Sequence, residues 1–272
     1  MGERSSVDCY IDCWEGSYRK LLAPGILGER YARHCYPFAR RVLTINNVDD
    51  KHEALGLAEA AIARGECDEY IVVADELPLA LKRCELRLKD IASLMHFTDF
   101  LLVTVMTAKA DFVLHVAGDV QLVRPFDWVS GAIAKLEESP QFFVANPEIG
   151  DHPGWSEQTA LRFEDPYWVS CGFSDQCFLG VTARYAAPIY NQWNLMSYRF
   201  PMSTIGRIFE ARVDAYMHNN KLLRITDSRV AYEHKPFTEG SMHHFGSRRQ
   251  RVAHKFLKQA GEIKQGWERR RH

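Results

Sequence analysis

The sequence predicts an α/β protein with a mostly parallel central sheet. Short runs rich in Val, Ile, Tyr and Phe recur at 7–13, 41–45, 69–74 and 110–116, and stretches of helical length separate them. Strands spaced by helices of this length make right-handed crossovers between parallel neighbours. The run at 110–116 ends abruptly on Ala117-Gly118-Asp119, as expected of a buried strand emerging at the ligand-binding edge of an open sheet. At 272 residues the chain is long enough to bury a sizeable core as one compact domain with appendages.

The elements follow in order. A strand at 7–13 precedes a helix over 17–33. The strand at 41–45 closes on Asn46-Asn47, and Asp50 opens a helix to about residue 64 that is rich in Ala, Leu and Glu. The third strand, 69–74, runs into Asp75-Glu76, an acidic pair placed to face the sheet edge. A helix over 91–109 leads to the strand before Asp119, and a helix over 129–136 follows. Past residue 140 the regular alternation stops. Residues 142–146 read as a strand, 147–155 as a loop rich in Pro and Gly, 205–219 as a helix and 222–232 as a final strand.

Asp119 carries the first chemical signal. A carboxylate at a strand exit is a hard oxygen donor suited to Mg²⁺ or Mn²⁺ held partly by a diphosphate, and Gly118 beside it lets a phosphate approach the backbone. The same Asp also suits the opening of a turn.

The segment from Ala110 to Leu136 resembles the A-type glycosyltransferases in order and spacing: a helix, an Ala-Asp-apolar strand, a metal-binding acid, the turn Arg124-Pro125-Phe126-Asp127-Trp128, then an amphipathic helix. The resemblance implies a Rossmann-type, three-layer GT-A-like fold with an acceptor-binding C-terminal part. It also implies a nucleotide-sugar donor, read as UDP-linked, and a divalent metal. Asp119 takes the place of the family's direct metal ligand. The first acid of the family's Asp-x-Asp motif is replaced by Ala117, a departure that bears on metal affinity. On this reading 1–130 is the nucleotide-sugar half, 131–246 the acceptor and catalytic half of the same domain, and 247–272 a basic tail.

The loops after the first two strands are expected to hold the donor, with Asp12, Trp14, Asn46, Asn47, Ala117 and Gly118 as its contacts. An Asn pairs with both a donor and an acceptor on a pyrimidine edge, and Trp14 offers a stacking face. The alternative is an Asn turn beside a half-buried Trp. Trp155 and Trp168 are candidate platforms for the acceptor. The cluster Ser174-Asp175-Gln176 resembles the family's aromatic-x-Asp-Gln pattern, which makes Asp175 the candidate general base, although an Asp before Gln and an apolar run also caps a helix. Glu210 is the second catalytic candidate. It lies four residues from Asp214, and with Arg207 and Arg212 nearby the helix reads first as a solvated charged face. The late His234 resembles the family's C-terminal metal ligand, with His243/His244 as the other choice and Lys235 as a partner for the diphosphate.

Composition narrows the alternatives. The formal net charge is −1, which predicts no global attraction to polyanions, but residues 247–272 carry nine Lys and Arg against two Glu. That tail suits a solvated helix, an anionic membrane or lipid-linked glycan, or a polyanionic acceptor such as DNA. The seven cysteines have no Cys-x-x-Cys pair, so neither a zinc site nor a disulfide framework is encoded, and Cys9 and Cys13 read as small apolar fillers. With no signal-peptide core and no membrane-length apolar run, a soluble cytoplasmic protein is expected. Two rival functions remain: a sugar-phosphate nucleotidyltransferase, disfavoured because Asp12-Cys13-Trp14-Glu15-Gly16 stands where that class has a Gly-rich signature, and a non-catalytic nucleotide-sugar or nucleic-acid-binding protein, favoured by Ala117.

Overall fold

The computed structural model describes residues 5–200 and 205–235. In chain order the elements are β1 (Val7–Cys13), α1 (Tyr18–Leu21), α2 (Ile26–Ala32), β2 (Arg40–Ile45), α3 (Lys51–Ala63), β3 (Glu69–Val72), α4 (Val73–Arg83), α5 (Leu88–Ile91), α6 (Asp99–Thr107), β4 (Phe112–Val116), β5 (Val120–Leu122), α7 (Val129–Glu138), β6 (Phe142–Ile149), α8 (Trp155–Thr159), β7 (Arg162–Glu164), β8 (Tyr167–Ser170), β9 (Cys177–Val181), α9 (Thr182–Tyr185), α10 (Phe209–Asn219) and β10 (Leu223–His234), with 3₁₀ turns at Ala92–Phe97 and Leu195–Arg199. One sheet holds all the strands in the order β3-β2-β1-β4-β9-β6-β10-β8-β7, with β5 also paired to β10. β5, β8 and β9 run against the rest, so the sheet is mostly parallel, as the sequence predicts.

The side-chain alternation of the strands builds three layers. In β1, Val7, Cys9, Ile11 and Cys13 face one apolar layer with Leu27, Ala58 and Val129 from α2, α3 and α7, so Cys9 and Cys13 do act as core fillers. Tyr10 faces the opposite layer with Leu77, Leu102, Phe209 and Val213 from α4, α6 and α10. Both layers draw on residues before and after position 130.

Several expectations are corrected. The helix expected over 17–33 is two short helices, because Pro24 and the left-handed Gly25 (φ +86°) break it. Strand β3 passes straight into α4 with no loop, so Asp75 and Glu76 lie in the first turn of that helix, where Asp75 pairs with Lys51 at 3.2 Å. The 91–109 helix is broken by the 3₁₀ turn. Asp175 caps no helix, since Cys177 opens β9, whose Phe178, Leu179 and Val181 suit a strand. The last strand runs through His234, placing that residue at the strand end rather than beyond it. The charged face expected on 205–219 is turned inward: Arg212 and Asp214 of α10 are buried. Residues His243, His244 and the basic tail 247–272 lie outside the described residues. Among those described, no single helix is long and apolar enough to cross a membrane.

Candidate active site

The carboxyl ends of β1 and β4 lie side by side, because β1 pairs with β4 in parallel up to Ile11 and Val116. The next residues on each strand therefore meet. The amide of Gly118 donates to the Asp12 carboxylate at 3.1 Å. A Cβ on Gly118 would stand 2.1 Å from the carbonyl oxygen of Asp12, so the glycine is required by this close crossing of two backbones. Ala117 donates its amide to the Gln176 carbonyl at 2.7 Å, and the Asp119 carbonyl accepts from the Lys235 amide at 2.6 Å. The turn 117–119 is thus tied to β1, to the segment before β9 and to the end of β10.

Asp119 projects from this turn with a half-buried carboxylate that takes no hydrogen bond or salt bridge among the described residues. Its charge reaches its neighbours. Burial pushes the Asp12 carboxyl up to about 7, and the negative charge of Asp119 adds to the shift against the Gly118 amide. Burial raises Asp175 to about 6, again with Asp119 adding and with its own backbone and Gln176 opposing. Asp175 lies in this cluster because β9 inserts antiparallel between β4 and β6, with Cys177 opposite Val116. Glu210, in the first turn of α10, is pushed well above the usual carboxylate range by burial and then by Asp175, with Arg199 and Arg224 pulling the other way.

His234 reaches the same edge by register, opposite Val120. Its Nδ1 lies 2.6 Å from Asp151 Oδ2 and its Nε2 lies 2.9 Å from Gln176 Oε1. A metal role for this ring requires Gln176 to release Nε2. Among the described residues, no three His, Cys, Asp or Glu side chains are grouped to hold a metal by themselves.

The donor-contact candidates flank the cluster. Asn46 is buried, its side-chain amide donating to Asp99 at 3.1 Å, and Asn47 is an exposed left-handed residue (φ +48°) whose carbonyl accepts from Glu15. Trp14 is exposed, with its indole folded over Gly16. Trp155 is exposed at the start of α8, whereas Trp168 packs on Phe163 at 4.3 Å between centroids.

Sequence reasoning missed three participants. His115 is fully buried between Phe100 and Phe178, its Nε2 3.7 Å from Asp12 Oδ1, and burial drives its pKa down to about 3. Arg199 clamps Asp214 with two guanidinium nitrogens at 2.6 and 3.1 Å. Arg224 of β10 is buried beside them. The only signal for His115 or Arg224 is a basic residue inside an apolar strand run.

No family model and no curated protein matches the sequence. Solved structures do match. A mannosyltransferase from Pyrobaculum calidifontis, determined with GDP-Man and Mn²⁺, superposes with a TM-score of 0.52 at 11% identity, covering 96% of this chain and 65% of its own. S. aureus TarS matches with a TM-score of 0.47 at 13% identity, over 85% of this chain and 36% of its own. The fold is that of the A-type, nucleotide-sugar-dependent glycosyltransferases. The chain spans less than two thirds of the length of either protein. In the A-type fold described here, the sheet edge that carries Asp12, Asp119 and Asp175 is the edge at which open α/β sheets bind ligands.

Proposed function

We propose that the chain is a glycosyltransferase that moves a sugar from a nucleoside-diphosphate sugar to an acceptor hydroxyl, with assistance from a divalent metal. The observation that carries this reading is the convergence of Asp12, Asp119 and Asp175 at the carboxyl edge of the sheet, where the Asp119 carboxylate makes no hydrogen bond or salt bridge among the described residues and feels Arg30 only through its charge. Burial and the charge of Asp119 raise both Asp12 and Asp175, so negative charge accumulates at this edge. Mn²⁺ or Mg²⁺ fits that charge and would be held by Asp119 with diphosphate oxygens, and by His234 once Gln176 releases it. The metal would neutralise the leaving diphosphate.

The chain's own residues supply the rest. The turn 117–119 presents Asp119 on a backbone fixed by Gly118, Gln176 and Lys235. Asp175 orients the acceptor hydroxyl and takes its proton as the new bond from acceptor oxygen to anomeric carbon forms and the bond to the diphosphate breaks with its electron pair. A carboxylate of pKa about 6 is ionised at neutral pH and more basic than an ordinary Asp. Asp12, Trp14, Asn46 and Asn47 frame the donor, and Glu210, raised above the usual carboxylate range by burial and then by Asp175, stands beside the base.

The test is hydrolysis or transfer from labelled UDP-glucose, UDP-GlcNAc and GDP-mannose with Mn²⁺, together with calorimetry of UDP and GDP on the parent and on Asp119→Asn. The parent should bind nucleotide in a metal-dependent way, and Asp119→Asn should weaken that binding by about ten-fold or more while melting no lower than the parent. Equal metal-dependent affinity in both proteins removes Asp119 from the metal, and no binding or turnover of any donor removes the transferase reading.

A further inference from the structure

A small cleft adjoins the carboxylate cluster next to Asp175. It lies between Asn146 of β6, Trp155 and Ser156 of α8, and Arg224, Thr226 and Tyr232 of β10. Its floor follows from the parallel pairing of β6 with β10, in which Asn146 stands opposite Thr226 and Arg224 lies two residues earlier on the same face. Ser174, also on the wall, places the cleft one residue from the proposed base.

Asn146 and Arg224 in this cleft lack what burial demands. The side-chain nitrogen of Asn146 is committed to the carbonyls of Cys177 and Ser174 at 2.6 and 3.3 Å, yet its buried Oδ1 has no hydrogen-bond partner among the described residues. Arg224 is more than nine-tenths buried and gives its Nε to Ser170 Oγ at 3.1 Å, a neutral partner. The acids near it are Glu210 and Asp214. Asp214 is already taken by Arg199, by Ser197 Oγ at 2.8 Å and by the Phe173 amide at 3.1 Å. Glu210, whose carboxyl is raised by burial and then by Asp175, makes no salt bridge with Arg224 among the described residues. The guanidinium of Arg224 is therefore left without a dedicated counterion, and a buried cation is costly unless a ligand supplies one.

We propose that this cleft is the acceptor subsite and that it selects acceptors bearing a phosphate or carboxylate near the reacting hydroxyl, with Arg224 pairing the anion and Asn146 Oδ1 accepting from a ligand hydroxyl. The assignment rests on the glycosyltransferase reading for the word acceptor, but the anion site itself does not. Arg forks match both anions in geometry, and Trp155 at the mouth offers a flat apolar face to the remainder of the molecule.

The experiment has two arms, both on the full chain. In the first, inorganic phosphate and acetate are titrated into the metal-free parent, Arg224→Gln, Arg224→Lys and Ser156→Asp, with a thermal melt of each. The parent binds one or both anions. Arg224→Gln and Ser156→Asp, the latter placing a competing carboxylate at the rim, weaken them by roughly ten-fold or more, and Arg224→Lys retains part of the affinity. The relative affinity for phosphate and acetate identifies which anion the subsite fits. In the second arm, glucose is compared with glucose 6-phosphate and gluconate, and glycerol with glycerol 3-phosphate and glycerate, as acceptors for each donor. The anionic member of each set should show the lower KM, and Arg224→Gln should erase that difference. Anion binding that is absent, or unchanged in both Arg224→Gln and Ser156→Asp, overturns the proposal. Transfer with equal preference for neutral acceptors overturns it as well. If no donor is turned over while anion binding still depends on Arg224, the transferase reading fails and the anion site stands.

Discussion

Gly118 donates its amide to the carboxylate of Asp12 at 3.1 Å and leaves no room for a Cβ beside the carbonyl of that same residue, so the end of β1 and the loop after β4 are locked together by one glycine. The contact sets the position of Asp119 one residue later. Everything proposed for the donor side depends on this crossing.

Gly118→Ala should therefore disturb both fold and site. A methyl group 2.1 Å from a backbone oxygen forces the loop away, at a cost of about 1–3 kcal/mol by analogy with overpacked cores. Urea unfolding and metal-dependent nucleotide binding should fall together. An unchanged midpoint would mean that the loop has room to move.

Asp12→Asn should stabilise the metal-free protein at high pH. The folded carboxyl is raised to about 7, chiefly by burial and then by Asp119, so its favourable protonated state is fully present below its ordinary value near 3.8 and is lost as pH rises through 7. Asn keeps an oxygen for the Gly118 amide and carries no charge. The difference in Tm between Asn variant and parent should be larger at pH 8 than at pH 5, and Mn²⁺ should reduce it. A difference independent of pH would show that charge is not its origin.

Asp175→Asn should leave nucleotide binding nearly intact and lower transfer by about 10²-fold or more, the scale of a lost general base. The parent's kcat/KM should rise with pH through about 6, where Asp175 ionises, and level off above. Glu210→Gln, at a carboxyl that burial and then Asp175 push toward the neutral form, should retain far more activity. If the two variants exchange these phenotypes, Glu210 is the base.

Asp214→Ala should be the most destabilising of these changes. Burial works against its charge, but Arg199, His218 and Ser197 outweigh it and hold the carboxyl below its ordinary value. Removing one partner of a buried pair leaves an uncompensated cation and costs about 3–5 kcal/mol. Because the folded pKa is depressed, the contribution is present above the ordinary value near 3.8 and disappears as pH falls through the lower folded value. Denaturation curves of parent and variant should converge in acid.

The sequence by itself determined the layers. The apolar run of β1, buried throughout, the capping of α3 by Asp50, which accepts from the Glu53 amide at 2.9 Å, and the abrupt end of the 110–116 run are local properties, and they were legible because each is set by neighbours in the chain. Local cues fail where a contact crosses the sheet. The segment after Asp175 has the composition of a helix start, yet Cys177–Val181 becomes a strand because a gap between β4 and β6 gives its backbone hydrogen bonds on both sides. The carboxylates of α10 look solvated in sequence because arginines lie nearby, whereas packing against the sheet buries Asp214 and pairs it with Arg199, fifteen residues earlier. Arg224 and Asn146 carry no spacing signal at all, since they meet only through the register of two strands 78 residues apart. Electrostatic neighbours at a sheet edge come from distant strands and loops, so the sequence names candidate acids and only the tertiary structure decides which of them share a site.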